Sequence, residues 1–278
     1  MADQKLISAI VAQSKICGNK IPDKKQSHAF ADDLFQFLFG CGNQIPGDVE
    51  QVLTVKYQTL QNQLATILNF FIHDTAKVDK EVSAFFESLN DIYHKVKKDA
   101  DAVVNFDPAA ESIEEVMAAY PGIYSIAIYR IAHQLHKQGI KTLPRLLGEY
   151  AHSVTGIDIH PAAVIGQSFF IDHGTGIVIG GTTIIGDNVK IYQGVTLGAL
   201  NVAKELARTK RHPTIEDNVI IYSGATILGG ATVVGHDSVI GGNVWLTNSV
   251  PSNSVVYQKS EVTVRDKNPM PDPSNFVI

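Results

Sequence analysis

From about residue 159 to the low 250s, one kind of residue returns every six positions. Ile159, Ile165, Ile171 and Ile177 are followed by Thr183, Val189 and Val195. After an interruption the series resumes at Ile215, Ile221, Ile227, Val233, Val239 and Trp245. Turn-formers fill the intervals, as in Ile165-Gly166, Ile185-Gly186-Asp187-Asn188 and Ile227-Leu228-Gly229-Gly230. A period of six matches neither the 3.6 of an α-helix nor the 2 of an alternating strand. It suits a coil of short strands in which each flat side takes one hexad and three hexads close a triangular turn. The recurring residue then points into the prism, and the thirteen hexads make roughly four turns of a parallel β-helix.

Upstream the rhythm is helical. Over 49–72 the apolar residues Val52, Val55, Leu60, Leu64, Ile67, Phe70 and Phe71 fall three and four apart, one face of a long amphipathic helix. Similar patterns occupy 29–39, 82–96 and 125–135. Gly40-Cys41-Gly42, Ile45-Pro46-Gly47-Asp48, Asp107-Pro108 and Tyr120-Pro121-Gly122 punctuate them. The expected chain is therefore α+β, with an all-helical oligomerisation or substrate domain over 1–153 and a β-helix over 154–258. A flexible Pro-rich tail over 259–278 follows. Apolar residues make up 45% of the chain and charged ones 18%, the balance of a soluble globular protein. A net charge of −5 gives no overall attraction to nucleic acid or to anionic membranes. Cys17 and Cys41 lack metal-ligand spacing and read as reduced thiols. Met1-Ala2-Asp3-Gln4-Lys5 has no apolar signal-peptide core, and a cytoplasmic location is expected.

The interruption of the six-beat is the second strong signal. Val195 to Ile215 is twenty positions, not a multiple of six, so 199–213 leaves the prism as a loop. Insertions in repeat proteins gather on the binding face, and this one carries Arg208, Lys210, Arg211 and His212 at its base. Nearby stand Asp158-Ile159-His160-Pro161 and Asp172-His173-Gly174-Thr175-Gly176. Fifteen residues separate Asp158 from His173, close to one turn, which allows the two to meet near one corner on neighbouring coils. A carboxylate holding one imidazole nitrogen while the other accepts a proton is general-base chemistry. Asp and His at corners also serve simply to satisfy turn backbone; the repetition of the pair and the Arg-His at the loop base favour chemistry.

These pieces, with Gln193-Gly194-Val195-Thr196-Leu197-Gly198 and Arg211-His212-Pro213, resemble the serine O-acetyltransferases of the hexapeptide-repeat acyltransferase group. Phe106-Asp107-Pro108-Ala109 followed by Tyr129-Arg130-Ile131-Ala132-His133 extends the resemblance upstream, so that it covers about residues 105–250. It implies a left-handed β-helix, an exception to the usual right-handed crossover, and acetyl transfer from acetyl-CoA to the L-serine hydroxyl on the way to cysteine. By resemblance His173 is the general base and Asp158 its partner. Asp107 and Asp172 meet the substrate ammonium and Arg211 its carboxylate, with His212 in the same pocket helping to hold substrate. His160 reads equally as a corner residue. The family's CoA groove, between adjacent prisms of a trimer or dimer of trimers, would use Gly198, Ala199, Ser223, Gly224, Gly241 and Gly242, although each glycine is also a turn former. No metal is expected.

Two departures from the family pattern stand out. The loop after Gly198-Ala199-Leu200-Asn201 is longer than the family's glycine-rich version, and Val256-Tyr257-Gln258-Lys259-Ser260 replaces the family's Gly-x-Pro-Ala-Arg. The chain ends in Ile278; the resemblance implies capture of such a terminus by cysteine synthase, a known carboxylate-binding mode. Feedback inhibition by cysteine is likewise implied by the family alone. Other readings are an acyltransferase with another acceptor, a carbonic anhydrase using His152, His160, His173, His212 and His236, or a scaffold that binds partners through its tail.

Overall fold

Aspartates open four of the helices in the first half of the chain. The computed structural model describes residues 3–17, 21–40, 47–200 and 209–259. In chain order its helices are α1 (Gln4–Cys17), α2 (Lys24–Phe39), α3 (Val49–Asn69), α4 (Thr75–Glu87), α5 (Leu89–Phe106), α6 (Ile113–Ala119), α7 (Pro121–Lys137) and α8 (Leu143–Thr155). The carboxylates of Asp3, Asp23, Asp48 and Asp74 accept first-turn backbone N–H groups of α1, α2, α3 and α4, groups that otherwise have no partner in the helix. Ser112 caps α6 in the same way, and Pro121 opens α7 where its missing N–H costs nothing. Phe30, Leu34, Leu64, Ile67, Phe85, Val96, Leu135 and Leu147 fill the common core.

The segment 82–96, expected as one helix, is two. The chain breaks at Ser88, whose Oγ donates to the Phe85 carbonyl at 2.6 Å. Val82, Phe85 and Phe86 on α4 and Leu89, Ile92 and Val96 on α5 are all buried. The apolar rhythm therefore crosses the break uninterrupted. Gly156, at φ 72°, ends α8 in the left-handed conformation that suits glycine at a helix terminus, and the β-structure begins two residues later.

Among the described residues fourteen short strands, all paired in parallel, form three faces. The first face holds β1 (Asp158–Ile159), β4 (Val178–Ile179), β7 (Thr196–Gly198), β10 (Thr226–Leu228) and β13 (Trp245–Leu246). The second holds β2 (Val164–Ile165), β5 (Ile184–Ile185), β8 (Thr214–Ile215) and β11 (Val233–Val234). The third holds β3 (Phe170–Asp172), β6 (Lys190–Tyr192), β9 (Ile220–Ile221), β12 (Val239–Ile240) and β14 (Val255–Val256). The chain visits them in rotation, turning at three corners. The second-to-third corner puts Ser168, Asn188, Asn218, Asp237 and Asn253 at φ of 54–60°, one per coil. Asn and Asp tolerate that region better than other side chains. Asn188 Nδ2 donates to Asn218 Oδ1, and Asn218 Nδ2 to Asp237 Oδ1, knitting the corner along the axis.

Each face buries two positions per hexad, not one: Ile157 with Ile159, Val189 with Ile191, Val195 with Leu197 and Val219 with Ile221 are all within the core. This corrects the single six-beat. Ile177, Thr183, Val189 and Val195 are buried, but the strand-borne inward residues there are Ile179, Ile185, Ile191 and Leu197. The first turn is accordingly twenty residues long, with Asp158 opposite Val178, against eighteen for the next, with Val178 opposite Thr196. The two extra residues lie between Ile171 and Ile179, where His173 sits. A second slip puts Val234 and Ile240 inward in place of Val233 and Val239, and leaves Trp245 67% exposed between the inward Val244 and Leu246.

The helices dock on the first coil through a buried ion pair. Arg130 of α7 donates through Nε and Nη2 to Asp99 of α5 at 2.7 and 2.8 Å, and through Nη2 to the Gly166 carbonyl at 2.8 Å. Asp99 also accepts the Phe169 N–H at 2.9 Å, immediately before β3. Both side chains are almost completely buried. The carboxylate thus meets a two-pronged guanidinium and a backbone donor, the kind of satisfaction a buried charge needs.

Candidate active site

The third-to-first corner gathers carboxylates around an exposed imidazole. The two added residues produce a tight turn in which the Gly174 N–H donates to the Asp172 carbonyl at 2.6 Å. His173 takes φ 56° and Gly174 φ 87°. A Cβ on Gly174 would lie 2.5 Å from Ile157 Cδ1, so the turn is pressed onto the core and His173 is thrown outward, its side chain 70% exposed. Its Nε2 is 3.7 Å from Asp172 Oδ2. Asp107, which caps α5, is held in place: Oδ1 accepts the Ala109 N–H and Oδ2 the Tyr120 hydroxyl, both at 2.8 Å. That hydrogen bond is the main reason the Tyr120 phenol is pushed up to about 12. Tyr192 is the register partner of Asp172 and stacks on Tyr222 at 5.1 Å, and its hydroxyl is pushed up by burial first, then by Tyr222, Asp172 and Asp107. This corner is anionic and aromatic.

The first-to-second corner is cationic. His212 is buried, and its Nδ1 accepts from the Thr182 N–H at 3.1 Å and lies 2.8 Å from Thr182 Oγ1. That hydroxyl oxygen accepts the backbone N–H groups of Arg211 and His212, leaving its own proton for the ring. With Nδ1 an acceptor, the neutral imidazole carries its proton on Nε2 and presents a donor. Burial, then Arg211, Lys210 and His160, depresses His212 from 6.5 to about 4. His160 Nδ1 similarly accepts the Ala162 N–H, and His160 is lowered mainly by burial. Both rings lie over Gly180-Gly181, where a Cβ would come 2.0 Å from His212 Cδ2 and 2.8 Å from His160 Nδ1. The buried Arg211 Nε has no hydrogen-bond partner among the described residues.

The residues expected to form one site thus occupy two corners of a single chain. Asp107, Asp172 and His173 share the third-to-first corner; Arg211 and His212 stand at the first-to-second corner, across the first face. Asp158 begins that face at its anionic end, and no hydrogen bond joins it to His173 among the described residues; the carboxylate beside the ring is Asp172. The expected CoA contacts divide likewise, Gly198 and Ala199 at the end of the first face and Ser223 and Gly242 at the third-to-first corner. The expected 199–213 loop falls between β7 and β8, and its residues 201–208 lie outside the described ones. Arg208, Cys41 and Ile278 lie outside the described residues. The five histidines considered as metal ligands are spread over α8 and all three corners, and among the described residues no three His, Cys, Asp or Glu side chains converge. Sequence reasoning missed Tyr120, Thr182 and the Tyr192–Tyr222 stack. Tyr120 preceded a Pro-Gly and read as punctuation, and the others need the coil register to be seen.

A β-helix with an anionic, imidazole-bearing corner and a cationic corner belongs to the hexapeptide-repeat transferase class. No family model matches the chain. It is 50% identical over 180 residues to a plasmid-borne serine acetyltransferase of Synechococcus elongatus, a match covering 63% of this chain and 56% of that protein, so it spans about half of that relative's length. It is 44% identical over 191 residues to the serine acetyltransferase of Bacillus subtilis, 65% of this chain and 86% of that one. Among solved structures, serine acetyltransferase isoform 3 of Entamoeba histolytica, in complex with cysteine, superposes with a TM-score of 0.77 at 34% identity over 86% of this chain and 84% of its own. A serine acetyltransferase in complex with CoA does so with a TM-score of 0.57 at 29% identity, over 84% and 94%. The shared architecture is a helical region followed by a left-handed parallel β-helix. The chain belongs to the serine acetyltransferase family.

Proposed function

We propose that the protein transfers the acetyl group of acetyl-CoA to the hydroxyl of L-serine, giving O-acetylserine and CoA. The observation that carries this beyond family membership is the opposite polarity of the two corners. An amino-acid zwitterion presents an ammonium, which suits the fixed carboxylates of Asp107 and Asp172, and a carboxylate, which suits Arg211 with its unpartnered Nε and the Nε2–H of His212. A sugar acceptor would have no use for that polarity.

The two corners lie on different edges of one prism, so a complete site forms where the third-to-first corner of one subunit meets the first-to-second corner of its neighbour. We assign the protein a homotrimer or a dimer of trimers on this ground. Closed rotational symmetry repeats such a heterologous contact three times. Gly198 and Ala199 from one edge, with Ser223 and Gly242 from the other, then flank one groove for CoA.

In the reaction His173 takes the proton of the serine hydroxyl as that oxygen attacks the thioester carbonyl. The tetrahedral oxyanion is met by backbone N–H groups lining the groove. Its collapse breaks the C–S bond, and the departing thiolate recovers the proton from the imidazolium. Asp158 stabilises that imidazolium once the exposed ring has turned toward it; catalytic hydrogen bonds are often long before substrate binds. The decisive experiment is thiol release from acetyl-CoA with L-serine, other amino acids and sugars. Serine-dependent release that falls by about 10²–10⁴ in His173→Ala is expected. Release with a different acceptor would overturn the substrate, and a His173→Ala protein of full activity would overturn the base. We further assign Ile278 to capture by cysteine synthase. Deleting it should abolish co-elution of the two proteins and leave acetyl transfer intact.

A further inference from the structure

At the first-to-second corner a single hydroxyl serves three groups. Strand pairing sets Val164 opposite Ile184, Ile184 opposite Thr214 and Thr214 opposite Val233. Carried two residues back to the corner, that register gives the column Ala162, Thr182, His212, Ala231, with one hydroxyl in it. Thr182 sits in a tight turn closed by the Thr183 N–H, which donates to the Gly180 carbonyl at 3.0 Å. Its Oγ1 accepts the backbone N–H groups of Arg211 at 3.0 Å and of His212 at 3.1 Å. The proton of the same hydroxyl is directed to His212 Nδ1 at 2.8 Å, beside the Thr182 N–H at 3.1 Å.

His160, one coil below, shows the arrangement without that hydroxyl: its Nδ1 accepts the Ala162 N–H at 3.0 Å and no side-chain donor among the described residues. Gly180 leaves the space that the His212 ring occupies, since a Cβ there would come 2.1 Å from Nε2. The carbonyl side of the same segment is held independently. Lys210 Nζ donates to the His212 carbonyl and, at 3.0 Å, to that of Pro213. Loss of the Thr182 hydroxyl would thus leave the segment anchored through its carbonyls and free chiefly the ring and the two N–H groups. The charged and titratable groups facing His212 are Arg211 and Lys210 from its own segment and His160 from the end of β1, and each disfavours a charged ring.

We propose that Thr182 is the positioning residue of the carboxylate-binding corner: through one hydroxyl it fixes the main chain that presents Arg211 and aims the His212 ring so that Nε2–H meets the serine carboxylate. This rests on the serine reading above. A ring held at Nδ1 and at its own backbone N–H has one direction left for Nε2, and a carboxylate is gripped best by donors that converge on it. A hydroxyl that donates to Nδ1 also favours the neutral ring, so its loss lets His212 take up a proton at higher pH.

The test measures kcat and KM for L-serine in the full chain, in Thr182→Val and in Thr182→Ser, from about pH 5 to 8, a range that spans the ordinary histidine value. Thr182→Val, which keeps the shape without the hydroxyl, is expected to raise KM about two- to tenfold at the upper end, the worth of one hydrogen bond, with a smaller change in kcat. The ratio of wild-type to variant kcat/KM should shrink as pH falls. The base His173 is common to both proteins and cancels, whereas the variant's His212 charges first, and an imidazolium binds a carboxylate more strongly. Thr182→Ser should restore wild-type behaviour. NMR titration of His212, its signal identified by loss in His212→Gln, gives a readout independent of turnover: a midpoint near 4 in the wild type that moves up in Thr182→Val. An unchanged KM would overturn the proposal. So would a ratio equal at every pH with the titration unmoved, the mark of a merely structural hydroxyl. If Thr182→Val does not fold, a wild-type His212 that titrates at 6.5 overturns the proposal by itself. A His212 titration that depends on Thr182 in a protein that does not acetylate serine would sustain the positioning and sink the serine reading.

Discussion

The histidines of the cationic corner are chemically useful because they are kept neutral. His212 is depressed to about 4 and His160 and His133 are lowered, in each case chiefly by burial. Each therefore takes up its proton in the unfolded chain at a higher pH than in the folded one. Stability from this source is fully present above pH 6.5. It declines as pH falls from 6.5 toward the folded values, by at most about 1.4 kcal/mol per pH unit for each group. Thermal or urea unfolding followed across that window should show the loss, and His212→Gln should flatten part of it. An identical pH slope in the variant would mean that His212 takes up its proton as readily in the folded protein as in the unfolded chain, which would remove Nδ1 as the acceptor for Thr182. His173 needs a different kind of account. Its type was legible in the motif, but its outward pose comes from a left-handed turn that required two residues more than the repeat supplies. An eye counting sixes passes over that slip, since Ile177 and Ile179 both belong to the core.

Among the elements, α5 and α7 do more than cover the end of the prism. α5 bears Asp99 within its length and ends where Asp107 caps it; Asp99 is bound to Arg130 of α7 and to the N–H that precedes β3, the strand ending in Asp172. One buried pair therefore joins the two elements that position Asp107 and Asp172. Asp99→Ala would strand the Arg130 guanidinium in the interior, and a destabilisation of about 3–5 kcal/mol is expected from chemical denaturation. A loss below about 1 kcal/mol would show that Arg130 finds water or another partner. At this scale the sequence was a fair guide to the helices, whose apolar faces are periodic. It misread 82–96 as continuous, because a helix broken at Ser88 and resumed on the same buried side leaves no trace in hydrophobic periodicity. The helix α8, whose apolar residues alternate with Arg145, Glu149 and His152, and the seven-residue α6 were not anticipated at all.

For the whole molecule, the separation of the two corners on one prism makes the proposed shared site testable. His173 is contributed by one edge and Arg211 by another. A His173→Ala chain and an Arg211→Ala chain, each inactive alone, should therefore regain activity when co-refolded. About a quarter of the sites in a randomly mixed trimer would hold both native residues. Absence of any recovery, with mixed oligomers demonstrated by mass, would place both residues of each site in the same subunit. No helix among the described residues is long and apolar enough to cross a membrane. By itself the sequence determined the class of fold, since a six-residue period has few three-dimensional solutions, and it singled out the candidate side chains by their types and order. It could not determine where those side chains meet. A solenoid converts chain position into a face, a corner and a height, and a slip of one or two residues changes all three. Only the tertiary structure set Asp107 and Asp172 on one edge and Arg211 and His212 on another, lifted His173 off the core, turned Trp245 outward, and stacked Tyr192 on Tyr222. Those placements depend on strand register and corner geometry, which backbone hydrogen bonding between coils decides and which no local pattern of residues encodes.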